Sequence, residues 1–247
     1  MKTRDLFGPD RPVRLNDVAF PPELKVLLLG PHPDDFDAMG VTMRLFRDNG
    51  NPIHVAVLSS SSGVQESYAP DPSPAAHAAI RDEEQRRSCR FFGLPDAHLD
   101  LMHLDEDHAG QAVQSAANLD RIRAKLADVR PDLVFLPHGD DTNTGHQRTA
   151  AMFACLAAAA EFPITACLVR DPKTIASRVD AYTPFEQADA DWKAELLRFH
   201  DSQHQRNLNT RGHGFDHRLL EVNRAVAAEL DLDAPYAEAF ELAFWNQ

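Results

Sequence analysis

The sequence predicts an α/β protein: a Rossmann-like three-layer sandwich with a mostly parallel sheet. Short apolar runs alternate with longer helix-like runs along the chain, which is the pattern of βαβ units. The 247 residues are 43% hydrophobic and 26% charged, which suffices for one sizeable core of ordinary composition. No internal repeat, low-complexity tract or linker interrupts the pattern. We therefore expect a single domain spanning residues 1–247.

The elements follow in order from local patterns. The apolar run 25–29 predicts a buried strand, and residues 36–49 predict the helix after it. Further buried strands are predicted at 53–58 and 133–136, further strands at 99–101 and 164–169, and an edge strand at 236–245. Further helices are predicted at 75–92 (stopped by Gly93), 115–129 (ending before Pro131), 147–161 (alanine-rich), 188–203 and 215–230. The serine- and proline-rich segment 59–74 is too long for a simple connection, so we expect a functional loop.

The charge balance narrows the classes of partner. Lys and Arg number 25 against 38 Asp and Glu, which gives a net charge of −13. Nucleic acid and anionic membrane surfaces would be repelled, so a neutral or cationic small molecule is the expected substrate. The first twenty residues lack the apolar core of a secretory signal, and no run is long enough to insert in a membrane. Three cysteines without metal spacing predict buried free thiols in a cytoplasmic protein.

The stretch His32-Pro33-Asp34-Asp35 stands between the first predicted strand and its helix. Ligands of open α/β sheets bind beyond the carboxyl ends of the strands, where this turn must lie. One imidazole and two carboxylates are the donors that a catalytic zinc site uses. Pro33, Asp34 and Asp35 also suit an ordinary helix start, but that alternative leaves His32 unexplained.

A second polar loop follows the predicted strand 133–136 and runs from Pro137 to His146. It lies at the same edge of the sheet, so the two loops can converge. His32, Asp35 and His146 then form a three-ligand set that leaves one position for water. Most of the 12 histidines must be surface or structural residues, and paired placement is what distinguishes His32 and His146.

These residues resemble a known family. His32-Pro33-Asp34-Asp35, a Ser/Gly loop, Arg81-x-x-Glu84 and the late loop with His146 are similar to the zinc-dependent N-acetylglucosamine deacetylases, the PIG-L or LmbE-like family. The resemblance implies that His32, Asp35 and His146 bind zinc and that Asp34 is the general base. It further implies that Arg81 contacts the sugar and that an acetyl group leaves the amide nitrogen of an amino-sugar conjugate.

The chain departs from that family pattern in the second loop. Many members read His-Pro-Asp-His where this chain has Asn143-Thr144-Gly145-His146. Asn143 is the expected oxyanion donor in place of the usual histidine, and His138 is a candidate for protonating the leaving amine. Tyr68 in the long loop is placed to stack on a sugar ring.

Several alternatives remain open at this point. Arg81 belongs to a charged helix start that also fits a solvated face. Iron(II) suits the same ligands as zinc. The altered loop is compatible with another acyl amide as substrate, such as a modified natural product. A non-catalytic sugar- or nucleotide-binding α/β module is a further alternative, because a fold does not fix a function. Homo-oligomerisation is an implied tendency of related proteins.

Overall fold

The computed structural model describes residues 3–246. Its sheet has eight strands in the order β1-β7-β8-β6-β5-β2-β3-β4. The strands are β1 (Val13–Arg14), β2 (Val26–Gly30), β3 (Ile53–Val57), β4 (Leu99–Leu101), β5 (Leu133–Pro137), β6 (Ile164–Val169), β7 (Ala181–Phe185) and β8 (Tyr236–Trp245). The helices are α1 (Arg4–Phe7), α2 (Asp35–Ala38), α3 (Gly40–Asp48), α4 (Pro74–Phe92), α5 (Ala116–Val129), α6 (Thr144–Ala158), α7 (Gln187–Arg198), α8 (Asp201–Arg211) and α9 (Phe215–Glu229).

Both faces of the sheet are covered, which explains why its strands read as continuous apolar runs. Successive side chains of a strand point to opposite faces. In β2, Val26 and Leu28 therefore join one core with residues of α2, α3 and α4, whereas Leu27 and Leu29 join a second core with residues of α5 and α6. All four side chains are fully buried. The predicted α/β class with helices on both sides of a mostly parallel sheet is confirmed.

The order of the central strands creates the site. From β2 the chain moves outward through β3 to β4, then crosses back so that β5 pairs with β2 on its other side, in parallel. Strand order reverses between β2 and β5, and crevices form at such a switch point. The turn after β2 carries His32, and the loop after β5 carries His146.

Three elements differ from the sequence-based expectations. The predicted edge strand, β8, lies inside the sheet and pairs antiparallel with both β6 and β7. The predicted helix 36–49 is two helices, α2 and α3, separated at Met39, whose φ of −116° and ψ of 30° are not helical. The predicted helix 188–203 is likewise divided, because His200 leaves the helical conformation between α7 and α8.

Short or weakly patterned elements escaped prediction. These are α1, β1, β7 and most of α8. Cys89 and Cys167 are buried free thiols, as expected, but Cys155 is exposed. Within residues 3–246, no helix combines the length and apolarity that a membrane crossing requires. The single-domain expectation stays a prediction.

Candidate active site

His32, Asp35 and His146 come together at the switch point. Their potential ligand atoms all lie within 4.8 Å of one another. His32 Nδ1 is 3.6 Å from Asp35 Oδ2, and His146 Nε2 is 3.6 Å from Asp35 Oδ1. All three residues are buried. The structure thus places the three sequence-predicted ligands in one cluster, although His146 is separated from the others by more than a hundred residues.

His146 presents one bare nitrogen to this cluster. Its Nδ1 is 3.0 Å from Asp141 Oδ2. Although burial alone would raise the pKa of Asp141, the hydrogen bond from His146 holds it below its usual range, so Asp141 accepts and His146 Nδ1–H donates. In the neutral ring Nε2 is then the unprotonated nitrogen, and it is fully buried without a hydrogen-bond partner among the described residues. A buried polar atom without a partner is costly unless a ligand binds it.

His32 is oriented in the same way by Gln111. His32 Nε2 is 2.7 Å from Gln111 Oε1, so the ring donates there and leaves Nδ1 bare beside Asp35. A Cβ on Gly145 would overlap Gln111 Oε1 and would lie 2.9 Å from His32 Nε2. Glycine at the position where many family members have aspartate therefore makes room for Gln111. Metal-binding histidines commonly donate their second ring N–H to a carboxylate or a carbonyl in this manner.

The electrostatics of the cluster suit a divalent cation. Asp35, Asp141 and Asp171 surround His146, with Asp171 Oδ2 3.5 Å from His146 Nδ1. Burial alone would lower the pKa of His146, but Asp141 and Asp35 raise it, so the surroundings favour positive charge. Two imidazole nitrogens and one carboxylate are the donor set of catalytic zinc or iron(II) sites. The residues present therefore fit such a metal.

We expect Gln111→Ala to lower the affinity for zinc by roughly 10- to 100-fold, because the ring of His32 loses the acceptor that fixes it. A competition titration against a chromogenic chelator measures this. The exposed neighbour Gln114 serves as the matched control through Gln114→Ala. Equal zinc affinity in the two variants would show that Gln111 does not orient the ligand.

Asp34 occupies a strained turn that α4 holds in place. Its φ of 108° lies in the left-handed region, which non-glycine residues rarely adopt. The Asp34 N–H donates to Gln85 Oε1 at 3.0 Å, and Asp34 Oδ2 accepts from Arg81 Nη2 at 2.8 Å. Strain of this kind concentrates at functional sites, where the surrounding structure maintains it. Asp34 also lines a cavity of about 250 Å³.

Arg81 is 2% exposed, so the solvated-face interpretation of this residue is wrong. Its guanidinium donates to the carbonyls of Ser62 and Pro33 as well as to Asp34. These contacts make Arg81 a positioning residue for the Asp34 carboxylate. Its predicted contact with the sugar stays a prediction.

Replacing Arg81 with lysine is expected to lower kcat by about tenfold or more while KM changes little, since one ammonium cannot reproduce the planar fork. Steady-state kinetics and zinc content together provide the test. Arg90→Lys, at an exposed site on the same helix, is the control. A rise in KM at unchanged kcat would instead indicate that Arg81 binds the substrate directly.

A second buried pair lies under this turn. His200 Nε2 is 2.6 Å from Asp37 Oδ2, and both side chains are inaccessible. Burial would lower the pKa of His200, but the charge of Asp37 raises it. Gln85 Nε2 also donates to Asp37 Oδ2, at 3.2 Å. Asp37 thus ties α2 to α4 and to the residue that directly precedes α8.

His138 and Asn143, the two predicted catalytic residues of the second loop, have other partners. His138 Nδ1 accepts from the Asp140 N–H at 3.0 Å, and Nε2 is 3.4 Å from Glu241 Oε2. Asn143 caps α6, with Oδ1 accepting from the amides of Gly145 and His146 at 2.8 and 3.4 Å. Both ring nitrogens of His138 are therefore engaged, and only the amide N–H₂ of Asn143 is available to an oxyanion. Their catalytic roles stay predictions.

The long loop borders the site at its beginning, and Tyr68 has a separate environment. The loop contacts Arg81 through the Ser62 carbonyl, and the Gly63 carbonyl accepts from Gln203 at 3.0 Å. The Tyr68 hydroxyl donates to Asp201 at 2.8 Å. Tyr68 lines a second cavity with Glu84, Arg87 and Asp201, whereas Asp34 lines the first. Stacking of Tyr68 on a sugar stays a prediction, without a contact that supports it.

Several residues that build the site were not singled out from the sequence. They are Gln85, Gln111, Asp141 and Asp171. Asp141 lies five residues before His146 in the loop already identified, so the sequence contained a signal for its role. Gln111 lies in an unpatterned loop 79 residues from His32. No local sequence pattern predicts the contact between Gln111 and His32.

Comparison with known proteins agrees with the geometry. A family model described as PIG-L, GlcNAc-PI de-N-acetylase, matches residues 27–158, more than half of the chain. Among curated proteins, a search finds no significant match.

Solved structures show the same fold at low identity. N,N'-diacetylchitobiose deacetylase from Pyrococcus horikoshii is 18% identical, with a TM-score of 0.73 over 89% of this chain and 83% of that one. The zinc-inhibited form of teicoplanin deacetylase Orf2 is 16% identical, with a TM-score of 0.65 over 91% and 100%. The 4-carboxy-2-hydroxymuconate hydratase GalB from Pseudomonas putida KT2440 is 16% identical, with a TM-score of 0.68 over 91% and 98%. At these identities the likeness establishes the fold alone.

Proposed function

The chain belongs to the PIG-L family of de-N-acetylases, and from that premise we propose that it is a zinc-dependent enzyme that removes acetate from an N-acetylated amino-sugar conjugate. The observation that carries the proposal is the bare, buried Nε2 of His146 beside Asp35. It supports a metal site, because His32 and Asp35 complete the donor set and Asp34 adjoins it.

The chemistry assigned to the chain's own residues is hydrolysis of an amide. Zinc, when bound by His32, Asp35 and His146, supplies a Lewis acid that polarises the acyl oxygen and acidifies water. Asp34 accepts the proton of the attacking water as its oxygen bonds to the acyl carbon. When the carbon–nitrogen bond breaks, Asp34 returns a proton to the leaving amine, and acetate remains. The Asn143 amide is proposed to donate to the oxygen that gains charge.

Release of acetate is the direct test. The purified protein, loaded with zinc, is incubated with the methyl glycoside of N-acetylglucosamine and with N,N'-diacetylchitobiose, and acetate and free amine are measured. We expect equal amounts of both products and loss of turnover after treatment with EDTA. Iron(II) in place of zinc under anaerobic conditions distinguishes the two metals by kcat. No acetate from any acetylated amino sugar, with metal bound, would refute the proposed substrate class.

A natural-product amide is the second candidate, and one observation favours it. The teicoplanin deacetylase matches over its entire length, and the second loop of this chain departs from the usual sequence at Asn143 and Gly145. A panel of N-acylated glycopeptides separates this candidate from the first. Because GalB is a hydratase of the same fold, the panel should include an unsaturated carboxylic acid, with hydration followed as loss of ultraviolet absorbance.

A further inference from the structure

The cavity that Asp34 lines is bordered by four cationic side chains, although the chain as a whole carries a net charge of −13. Arg206 and Arg211 come from α8, Arg218 comes from α9, and Lys173 comes from the segment after β6. Arg206 and Arg211 lie on the face of α8 that also presents Gln203, Asn207 and Thr210, at the three- and four-residue spacing of one helical face. Three separate elements thus direct positive charge into one recess.

None of these four side chains has an ion pair or a side-chain hydrogen bond within residues 3–246. By contrast, other arginines of the chain are paired with carboxylates: Arg81 with Asp34, Arg148 with Asp107, and Arg198 with Asp216. Acidic residues outnumber basic ones in this chain, so partners are abundant elsewhere. A cluster left unpaired in an acidic protein is a site where an external anion can be bound.

Repulsion among these cationic side chains destabilises the ligand-free protein. Partial desolvation in the cavity and the nearby charges of Arg81 and Arg211 lower the pKa of Arg206, although that residue as a whole is exposed. Partial desolvation and Arg211 likewise lower the pKa of the half-buried Arg218. The ligand-free protein therefore holds like charges close together. Such local destabilisation is common where residues are arranged for a ligand rather than for the fold.

We infer that the arginine-rich cavity, formed by Lys173, Arg206, Arg211 and Arg218 beside Asp34, binds an anionic group of the substrate, a phosphate or a carboxylate, while the acylated nitrogen lies at the metal site. The placement of the acylated nitrogen at the metal site rests on the proposed function. Guanidinium groups recognise both anions through paired N–H donors. Asp34, which lines this cavity, directly precedes the metal-ligand candidate Asp35 in the chain, so the cavity adjoins the metal site. An anionic group in this cavity differs from the sequence-based expectation of a neutral or cationic substrate, which was drawn from the net charge of the whole chain.

The first test compares three substrates of the zinc-loaded enzyme at one ionic strength. They are the neutral methyl glycoside of N-acetylglucosamine, N-acetylglucosamine 1-phosphate, and N-acetylmuramic acid, which carries a carboxylate. We expect kcat/KM for one of the two anionic substrates to exceed that of the neutral one by at least about tenfold. The better of the two identifies the anion. In the Arg206→Gln/Arg218→Gln double variant, the ratio between anionic and neutral substrate should collapse, whereas Arg123→Gln, a distant exposed arginine, should keep it.

The second test does not depend on turnover. The melting temperature of the EDTA-treated full chain is measured with inorganic phosphate, with succinate, and with chloride at matched ionic strength. We expect phosphate or succinate to raise the melting temperature relative to chloride in the parent and in Arg123→Gln. In the double variant this rise should vanish, while its ligand-free melting temperature equals or exceeds that of the parent because repulsion is removed.

The outcomes separate this inference from the proposed function. Equal kcat/KM for neutral and anionic amino sugars, together with no thermal shift, would overturn the anion site and leave deacetylation intact. A thermal shift that requires Arg206 and Arg218, without acetate release from any substrate, would support the anion site and refute the proposed reaction.

Discussion

The His146→Ala variant is expected to bind far less than one zinc per chain and to lose hydrolysis, while retaining near-native circular dichroism. His32 and Asp35 come from a single turn and would hold a metal weakly by themselves. His146 supplies the only ligand from the second loop, through a nitrogen with no other partner in the described chain. Loss of the metal removes several kcal/mol of charge stabilisation, or roughly a thousandfold in rate.

Because His146 is buried, the experiment needs a second variant that separates loss of metal from loss of stability. Although it lies at the end of a polar stretch of the sequence, His146 is fully inaccessible and donates to the buried Asp141. Alanine leaves Asp141 Oδ2 without the His146 donor, which costs about 1–3 kcal/mol of stability. His146→Gln can still donate to Asp141 but is a poor zinc ligand, so it should keep more of the melting temperature and equally little metal. Full zinc occupancy of either variant would exclude the three-ligand site.

The Asp34→Asn variant should keep its zinc and lose about 10²- to 10⁴-fold in kcat, because an amide cannot accept the proton of the attacking water. The shape of the side chain is retained, and its carbonyl can still accept from Arg81. Zinc is counted by elemental analysis, and kcat by acetate release.

The competing interpretation assigns Asp34 only to the start of α2. It then predicts a loss of at most about 1 kcal/mol of stability and an unchanged kcat. Asp128→Asn, at an exposed position, controls for loss of one charge. Normal turnover by Asp34→Asn would therefore dismiss its role as base, whatever the change in melting temperature.

Much of the fold follows from local sequence. Strands such as β2 and β6 are short apolar runs bounded by polar residues, and α4 ends at Gly93 in the left-handed conformation that glycine favours. The elements that local sequence did not predict depend on pairing. β7 alternates buried and half-buried residues and includes Pro184, and it gains its strand conformation from β1 and β8. Likewise, β8 lies within the sheet because strands pair on both its edges, which no local pattern encodes.

The candidate site divides in the same manner. His32 and His146 follow buried strands, so the sequence alone placed them at one edge of a parallel sheet. Their contact required β5 to pair with β2, a property of topology. Gln111 and Asp141, which orient the two rings, reach the cluster from loops whose paths depend on the packed fold. Roles for His138, Asn143 and Tyr68 were inferred from placement along the chain, and the structure gives each of them other partners.

By itself, the sequence determined the α/β class, the two polar loops and the identity of the three metal-ligand candidates, because each depends on residue type and local periodicity. Tertiary structure decided which nitrogens are bare, that Arg81 is buried against Asp34, and that four cations meet beside it. Net charge is a sum over the chain, whereas a substrate experiences the charges within a few ångströms. An acidic protein can therefore hold a positive cavity, and only the folded arrangement reveals it.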